Sequence, residues 1–370
     1  MDYKNQQNRF KYLLNKNNNF NIYKEIPSLK IINSTTKKKP YITIAIPTFR
    51  RPALLKEAIS SALTQKNVKC EYDIIIVDND YTSDGFSENE QVIKSFQTNK
   101  ITYYQNKENL GMIGNWNRCF ELAEGEWVAL LHDDDLLMPN YINSISSLLL
   151  RKEDIGAICS NYILLGSHSS KKPIGFKRIL QKLKNISLKI IPINVLSNRL
   201  RQINSKFSEF WNRNFYGPPT CGALFSKNKV LLIGGFNEEL FPSADWFFWY
   251  SFNKEYKVYR PLVPLSYYRI SVNESLNIQT IKGFIEDAGS FRKYSKENTS
   301  WGKIGFILFK YEQHYHYLRS HFESLQKNGY INTDFDYIEI FRERKIYDFL
   351  YKSSLVLFQD LSFLIALIIG

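Results

Sequence analysis

Cysteine is scarce and scattered. The four cysteines in 370 residues, Cys70, Cys119, Cys159 and Cys221, form no CxxC pair, which excludes a disulfide framework and a thiolate zinc site and suits a reducing compartment. Long apolar runs are missing as well. The longest, Leu361 to Gly370, falls short of the roughly 20 residues a bilayer-spanning helix needs. The Asn- and Lys-rich first 20 residues hold neither an apolar core nor a small-residue cleavage site, so no signal peptide is expected. Glycine is absent from the turn PTFRR (47–51), where a dinucleotide-binding fold needs GxGxxG after its first strand. No GxxxxGK[ST] occurs either, which removes the P-loop phosphotransferases. Acidic residues are nearly absent between Ser167 and Asn214: eleven Lys and Arg face the single Glu209, so +10 of the net charge of +13 is local.

What is present is a recurring alternation. YITIAI (41–46), DIIIV (73–77), ITYY (101–104), WVALL (127–131) and GAICS (156–160) are apolar runs of strand length. Between them, Leu55, Ala58, Ile59, Ala62 and Leu63 follow helical spacing after Pro52, with further helices expected over 115–123 and from Pro139 to about Leu150. Strands apolar throughout, alternating with amphipathic helices, predict an α/β fold with a mostly parallel sheet covered on both faces. Ligands of such sheets bind beyond the carboxyl ends of the strands, and several of these runs end there in polar or acidic residues.

Asp133-Asp134-Asp135 follows one such run. Three adjacent carboxylates repel unless a cation or solvent offsets the charge, and a hard divalent ion bridging a substrate diphosphate would do so; capping of the next helix by Asp135 is the alternative. Asn109 to Gly114 brings glycines to a helix start, which suits an anion or a simple turn. Asp78 and Asn79 offer hydrogen bonds to a nucleobase, or an Asx-turn. Asp245 falls in the first turn of a helix opened near Ser243, among aromatics. Such an acid either answers the helix dipole or, held among rings, serves as a general base.

Taken in order, TIAIPTFRRP (43–52), IIIVDND (74–80), NLGMIGNWNRCFELAEGEWVALLHDDDLLMP (109–139), CGALF with GGFNEELFPSAD (221–245) and YYRI (267–270) resemble glycosyltransferase family two, with its GT-A fold. The resemblance implies an inverting transfer of a sugar from a nucleotide-sugar donor, UDP-linked by default, to a hydroxyl of a glycan or lipid-diphosphate-linked acceptor in cell-surface polysaccharide synthesis. It implies that Pro47, Thr48, Arg50, Asp78, Asn79, Asn109, Gly111, Asn117 and Asp133 line the donor site. Asp134 and Asp135 would hold a divalent cation, Mn2+ or Mg2+, and Asp245 would be the base. His132, where the family often has Asp, and Ser271, where it often has His, depart from the pattern. They leave open a non-catalytic binding protein of nucleotide sugar or membrane glycolipid on the same fold.

The expected organisation is an extension over 1–39, a catalytic domain over 40–290 with a basic insert at 167–214, and a helical region over 291–370. In the insert, Phe176, Ile179, Leu180, Leu183, Ile186 and Ile190 keep helical spacing with lysines between them. A basic amphipathic segment of this kind suits an anionic membrane surface. With the tail from Leu355, residues 171–206 would give a cytoplasmic enzyme peripheral contact with the inner face of the membrane. The insert carries no nucleic-acid motif and few aromatics among its charges, so no nucleic-acid partner is expected.

Overall fold

The computed structural model describes residues 17–34, 38–81, 87–151, 153–165, 200–203, 220–269 and 277–309. The chain begins with β1 (Ser28–Ile32), β2 (Ile42–Thr48), α1 (Pro52–Leu63), β3 (Tyr72–Asp78), α2 (Glu88–Lys94), β4 (Ile101–Asn106) and α3 (Gly111–Leu122). It continues with β5 (Trp127–Leu130), β6 (Leu136–Leu137), α4 (Tyr141–Leu149), β7 (Ile155–Ile158), β8 (Tyr162–Leu165), β9 (Leu200–Ile203), β10 (Ala223–Ser226) and α5 (Lys227–Ile233). The last described elements are α6 (Ala244–Glu255), β11 (Lys257–Pro261), β12 (Ser266–Arg269), α7 (Ile278–Asn298) and α8 (Ser300–Phe309).

Nine strands form one sheet in the order β1-β4-β3-β2-β5-β10-β7-β11-β9. The contiguous block β4-β3-β2-β5 is parallel, as the apolar runs predict. β10 enters antiparallel between β5 and β7, which the pattern did not foretell. Each central strand buries both faces because alternate residues serve opposite layers. Ala45, Ile75 and Val77 join α3 and the aromatics of α6 in one core. Ile42, Ile44, Ile46, Ile74 and Ile76 join α1 and α4 in the other. A second sheet, β6-β12-β8, stands beside the first.

Several boundaries differ from expectation. β2 runs through Pro47 to Thr48 rather than ending at Ile46. Helix α3 starts at Gly111, four residues earlier than its apolar spacing suggested; Gly111 tolerates the left-handed φ of +69° at that start. Part of the expected N-terminal extension is packed: β1 pairs antiparallel with β4. The expected boundary at 290 falls inside α7, whose Phe291 is buried edge-on against Tyr250. The basic insert lies outside the described residues except for β9, and so does the chain after Phe309. Among the described residues no helix is long and apolar enough to cross a membrane.

Candidate functional site

Parallel register brings the ends of β2, β3, β4 and β5 to one edge. Ala45 lies opposite Leu130, and Thr48 opposite Asp78. Carrying the β2–β5 register three residues further sets Thr48 beside Asp133, and the Thr48 hydroxyl donates to Asp133 Oδ2 at 2.9 Å. Burial first, and then the neighbouring Asp134 carboxylate, push Asp133 up to about 6, against the pull of Arg51 and Thr48.

Antiparallel β10 adds a second wall. Because Ala223 pairs with Leu130, the residues before it run alongside the acidic loop. Gly222 N donates to Leu130 O, and Thr220 Oγ1 lies 3.1 Å from His132 Nε2. The His132 ring stacks on Trp116 of α3 at 4.9 Å, and burial pushes its basicity down. The short β6 pairs with β12, which brings Arg269 N to Asp135 Oδ1 at 2.7 Å and Arg269 Nε to the Asp134 carbonyl at 2.8 Å. Asp135 is therefore held by β12 and does not cap α4. Its other oxygen, Oδ2, is buried without a hydrogen-bond partner. Burial and then Asp134 push the Asp135 carboxyl well up.

His132, Asp134 and Asp135 each offer a ligand atom within 4.8 Å of the others. One imidazole and two carboxylates are a donor set for a hard or borderline divalent ion, and the buried Asp135 Oδ2, which has no hydrogen bond and lies 3.8 Å from His132 Nδ1, fits that use. His132, which the sequence marked as a departure, belongs to this group. Arg51, which sequence reasoning passed over for Arg50, reaches it too: its Nη1 lies 3.5 Å from Asp133 Oδ1 and 3.3 Å from Asp134 Oδ2. Arg50 turns away in a left-handed conformation and pairs with Asp80 at 2.8 Å.

Asp78 is fully buried. Its Oδ2 accepts from Asn89 and Tyr103 at 2.9 Å, and its Oδ1 from Asp80 N, so it braces the end of β3. Burial still pushes it upward, against those bonds. Asn79 accepts from Asn106 Nδ2 at 2.8 Å and donates to Gly111 O at 2.9 Å. Asn115 accepts from the same Asn106 amide and donates to Val77 O. These three amides stitch the ends of β3 and β4 to the start of α3, where Asn109 Oδ1 accepts from Gly111 N. Pro47 is buried in β2.

Asn117 clasps the Phe236 backbone with both ends of its amide, at 2.8 Å each. A Cβ on Gly235, whose φ is +74°, would come within 2.6 Å of the Asn117 side chain, so glycine is required there. Phe236 in turn stacks on Phe248 at 3.9 Å, tying α3 to the helix that carries Asp245. Asp245 Oδ1 accepts from Trp246 N at 2.9 Å, while the Ser243 hydroxyl, expected as a cap, makes no cap bond. Burial pushes Asp245 up to about 7. Ser271 lies outside the described residues.

Residues 43–223 match the model of glycosyl transferase family 2. The chain is 30% identical over 127 residues to an uncharacterized glycosyltransferase of Mycoplasma pneumoniae, covering 33% of this chain and 40% of that one. It is 33% identical over 109 residues to the GalNAc(5)-diNAcBac-PP-undecaprenol beta-1,3-glucosyltransferase of Campylobacter jejuni, covering 29% and 33%. The match thus spans less than two thirds of either relative. Its fold is shared with S. aureus TarS 1–349, solved in complex with UDP-GlcNAc, at 14% identity and a TM-score of 0.52, over 78% of this chain and 74% of that one.

Proposed function

From the premise that residues 43–223 are a glycosyltransferase family 2 domain on a GT-A fold, we propose that the chain moves a sugar from a nucleotide-sugar donor, UDP-linked by default, to a hydroxyl of a glycan or lipid-linked acceptor with inversion. The single observation that carries this reading is the acidic loop, which gathers ligand atoms of His132, Asp134 and the buried Asp135 within 4.8 Å of one another. These three residues would hold Mn2+ or Mg2+, which when bound supplies positive charge against a departing diphosphate.

The protein's own groups divide the remaining work. Thr48 fixes the Asp133 carboxylate at the donor end. The Asn79, Asn106 and Asn115 amides hold the strand ends and the α3 start in one arrangement, so the donor site needs little reorganisation. Asn109 and Gly111 lie at that helix start, where backbone amides favour an anion. Asp78 acts behind the pocket wall as a brace, and Asn117 holds the loop before Asp245 rather than touching donor. Asp245, poised near neutrality, takes the proton of the acceptor hydroxyl as that oxygen attacks the anomeric carbon from the face opposite the leaving group. The catalytic unit in this reading includes residues 17–32, whose β1 pairs with β4, and extends through α7.

Calorimetric titration with UDP, GDP and dTDP, with and without Mn2+, on wild type and Asp134→Ala tests this. Metal-dependent binding of one nucleotide, lost in the variant, is the expected result. Binding of none under either condition would overturn it.

A further inference from the structure

Arg51 stands at the N-cap position of α1, three residues beyond the end of β2, and its guanidinium bridges two carboxylates of the acidic loop. Nη1 lies 3.3 Å from Asp134 and 3.5 Å from Asp133. Those two side chains are buried, at 9% and 8% exposure, whereas the Arg51 side chain is 40% exposed. The contacts are single-pronged and at the long end of ion-pair range, unlike the bidentate geometry that makes arginine–carboxylate pairs strong. Asp133 already has a shorter bond, from Thr48. Asp135, the third carboxylate, has no arginine on Oδ2.

A guanidinium and a divalent cation cannot share the Asp134 oxygen without strong repulsion. A diphosphate, by contrast, presents a planar oxygen pair that a guanidinium fork matches. We propose that Arg51 is an internal counter-ion that competes with the divalent cation for Asp134 in the donor-free protein, and is released onto the donor diphosphate when nucleotide and metal enter together. This couples the two ligands: each removes a cost that the other would meet alone. The proposal rests on the metal-site reading above but makes a separate claim, that metal binding alone is held weak by one side chain.

The test is Mn2+ titration, followed by calorimetry and by the loss of the free Mn2+ paramagnetic resonance signal, on wild type, Arg51→Gln and Arg51→Lys, each with and without saturating UDP. Without nucleotide, Arg51→Gln should bind Mn2+ about tenfold more tightly, the scale of one partly screened charge at this range. Arg51→Lys, which keeps the charge, should stay near wild type. With UDP present the advantage of Arg51→Gln should vanish or reverse. Unchanged or weaker Mn2+ binding by Arg51→Gln without UDP would overturn the proposal, because Arg51 would then be a prop for the carboxylates. Wild type and Arg51→Gln both binding no Mn2+ even with UDP would overturn the metal-site reading itself, and the proposal with it.

Discussion

At the scale of single residues, the fold works against the ionisation of several candidate groups. Asp245 is the clearest: burial raises its proton affinity to about 7, against about 3.9 in an unfolded chain. The folded state therefore holds this proton more tightly. Its contribution to stability is complete below about pH 4 and is lost as pH rises through about 7. The proposed role as a base has the opposite sign, since a base must be ionised to accept a proton. Turnover should rise with pH through about 7 and level off above it. Asp245→Asn should lower turnover by about a thousandfold, within the usual range for a general base, and leave nucleotide affinity unchanged. The same variant should melt higher than wild type at pH 8 and level with it near pH 4. A flat pH–rate profile, or a variant that loses nucleotide binding, would remove Asp245 from the role of base.

At the scale of elements, the N-terminal strap shows how the loop before Asp245 is held. Arg118 of α3, buried at 6% exposure, donates to Tyr23 O at 2.8 Å, to Ile26 O at 2.9 Å and to the Ser28 hydroxyl, and pairs with Glu121 at 2.8 Å. The strap then reaches the other way. Asn19 donates to Gly234 O at 2.9 Å, and the Tyr23 hydroxyl donates to Glu238 at 2.6 Å. Arg118→Met keeps the packed stem but leaves two half-buried carbonyls and a hydroxyl without this donor, at a cost of about 1–3 kcal/mol. The expected signs are a lower urea midpoint and new protease cleavage between residues 17 and 32; an unchanged midpoint would show that the strap is held elsewhere. The sequence pattern places this segment in an extension over 1–39, partly ordered at best. Its apolar residues keep no regular spacing, and its order comes from a partner some ninety residues away.

At the scale of the whole molecule, charge is unevenly placed. Ten of the thirteen net positive charges belong to residues 167–214, and each cation near an anionic membrane surface contributes about 1 kcal/mol. The wild-type chain should float with phosphatidylglycerol vesicles, and deletion of residues 171–199 should abolish this. The deletion stops at 199 because Leu200–Ile203 pairs with β11 in the main sheet, so a cut to 206 would damage the fold as well. Equal flotation of both chains would assign membrane contact to another part of the molecule or deny it.

Local physics made the parallel block legible. Apolar runs of strand length between helical stripes can be buried only on both faces, and that condition alone brings β2, β3, β4 and β5 to a common edge with Thr48, Asp78 and the Asp133–Asp135 run beyond it. The acidic run and Asp245 stood out in the sequence as candidates for the same reason, since carboxylates after a buried strand or among aromatic rings are costly to ionise. Hydropathy cannot set strand direction outside that block. The reversal of β10 brings Thr220 to His132, and the pairing of β6 with β12 brings Arg269 to Asp135. Arg51 rather than Arg50 meets the carboxylates because Arg50 takes the left-handed turn. Which neighbour a side chain meets across 80 to 135 residues depends on sheet order and backbone handedness, and those are set only when the whole chain is packed.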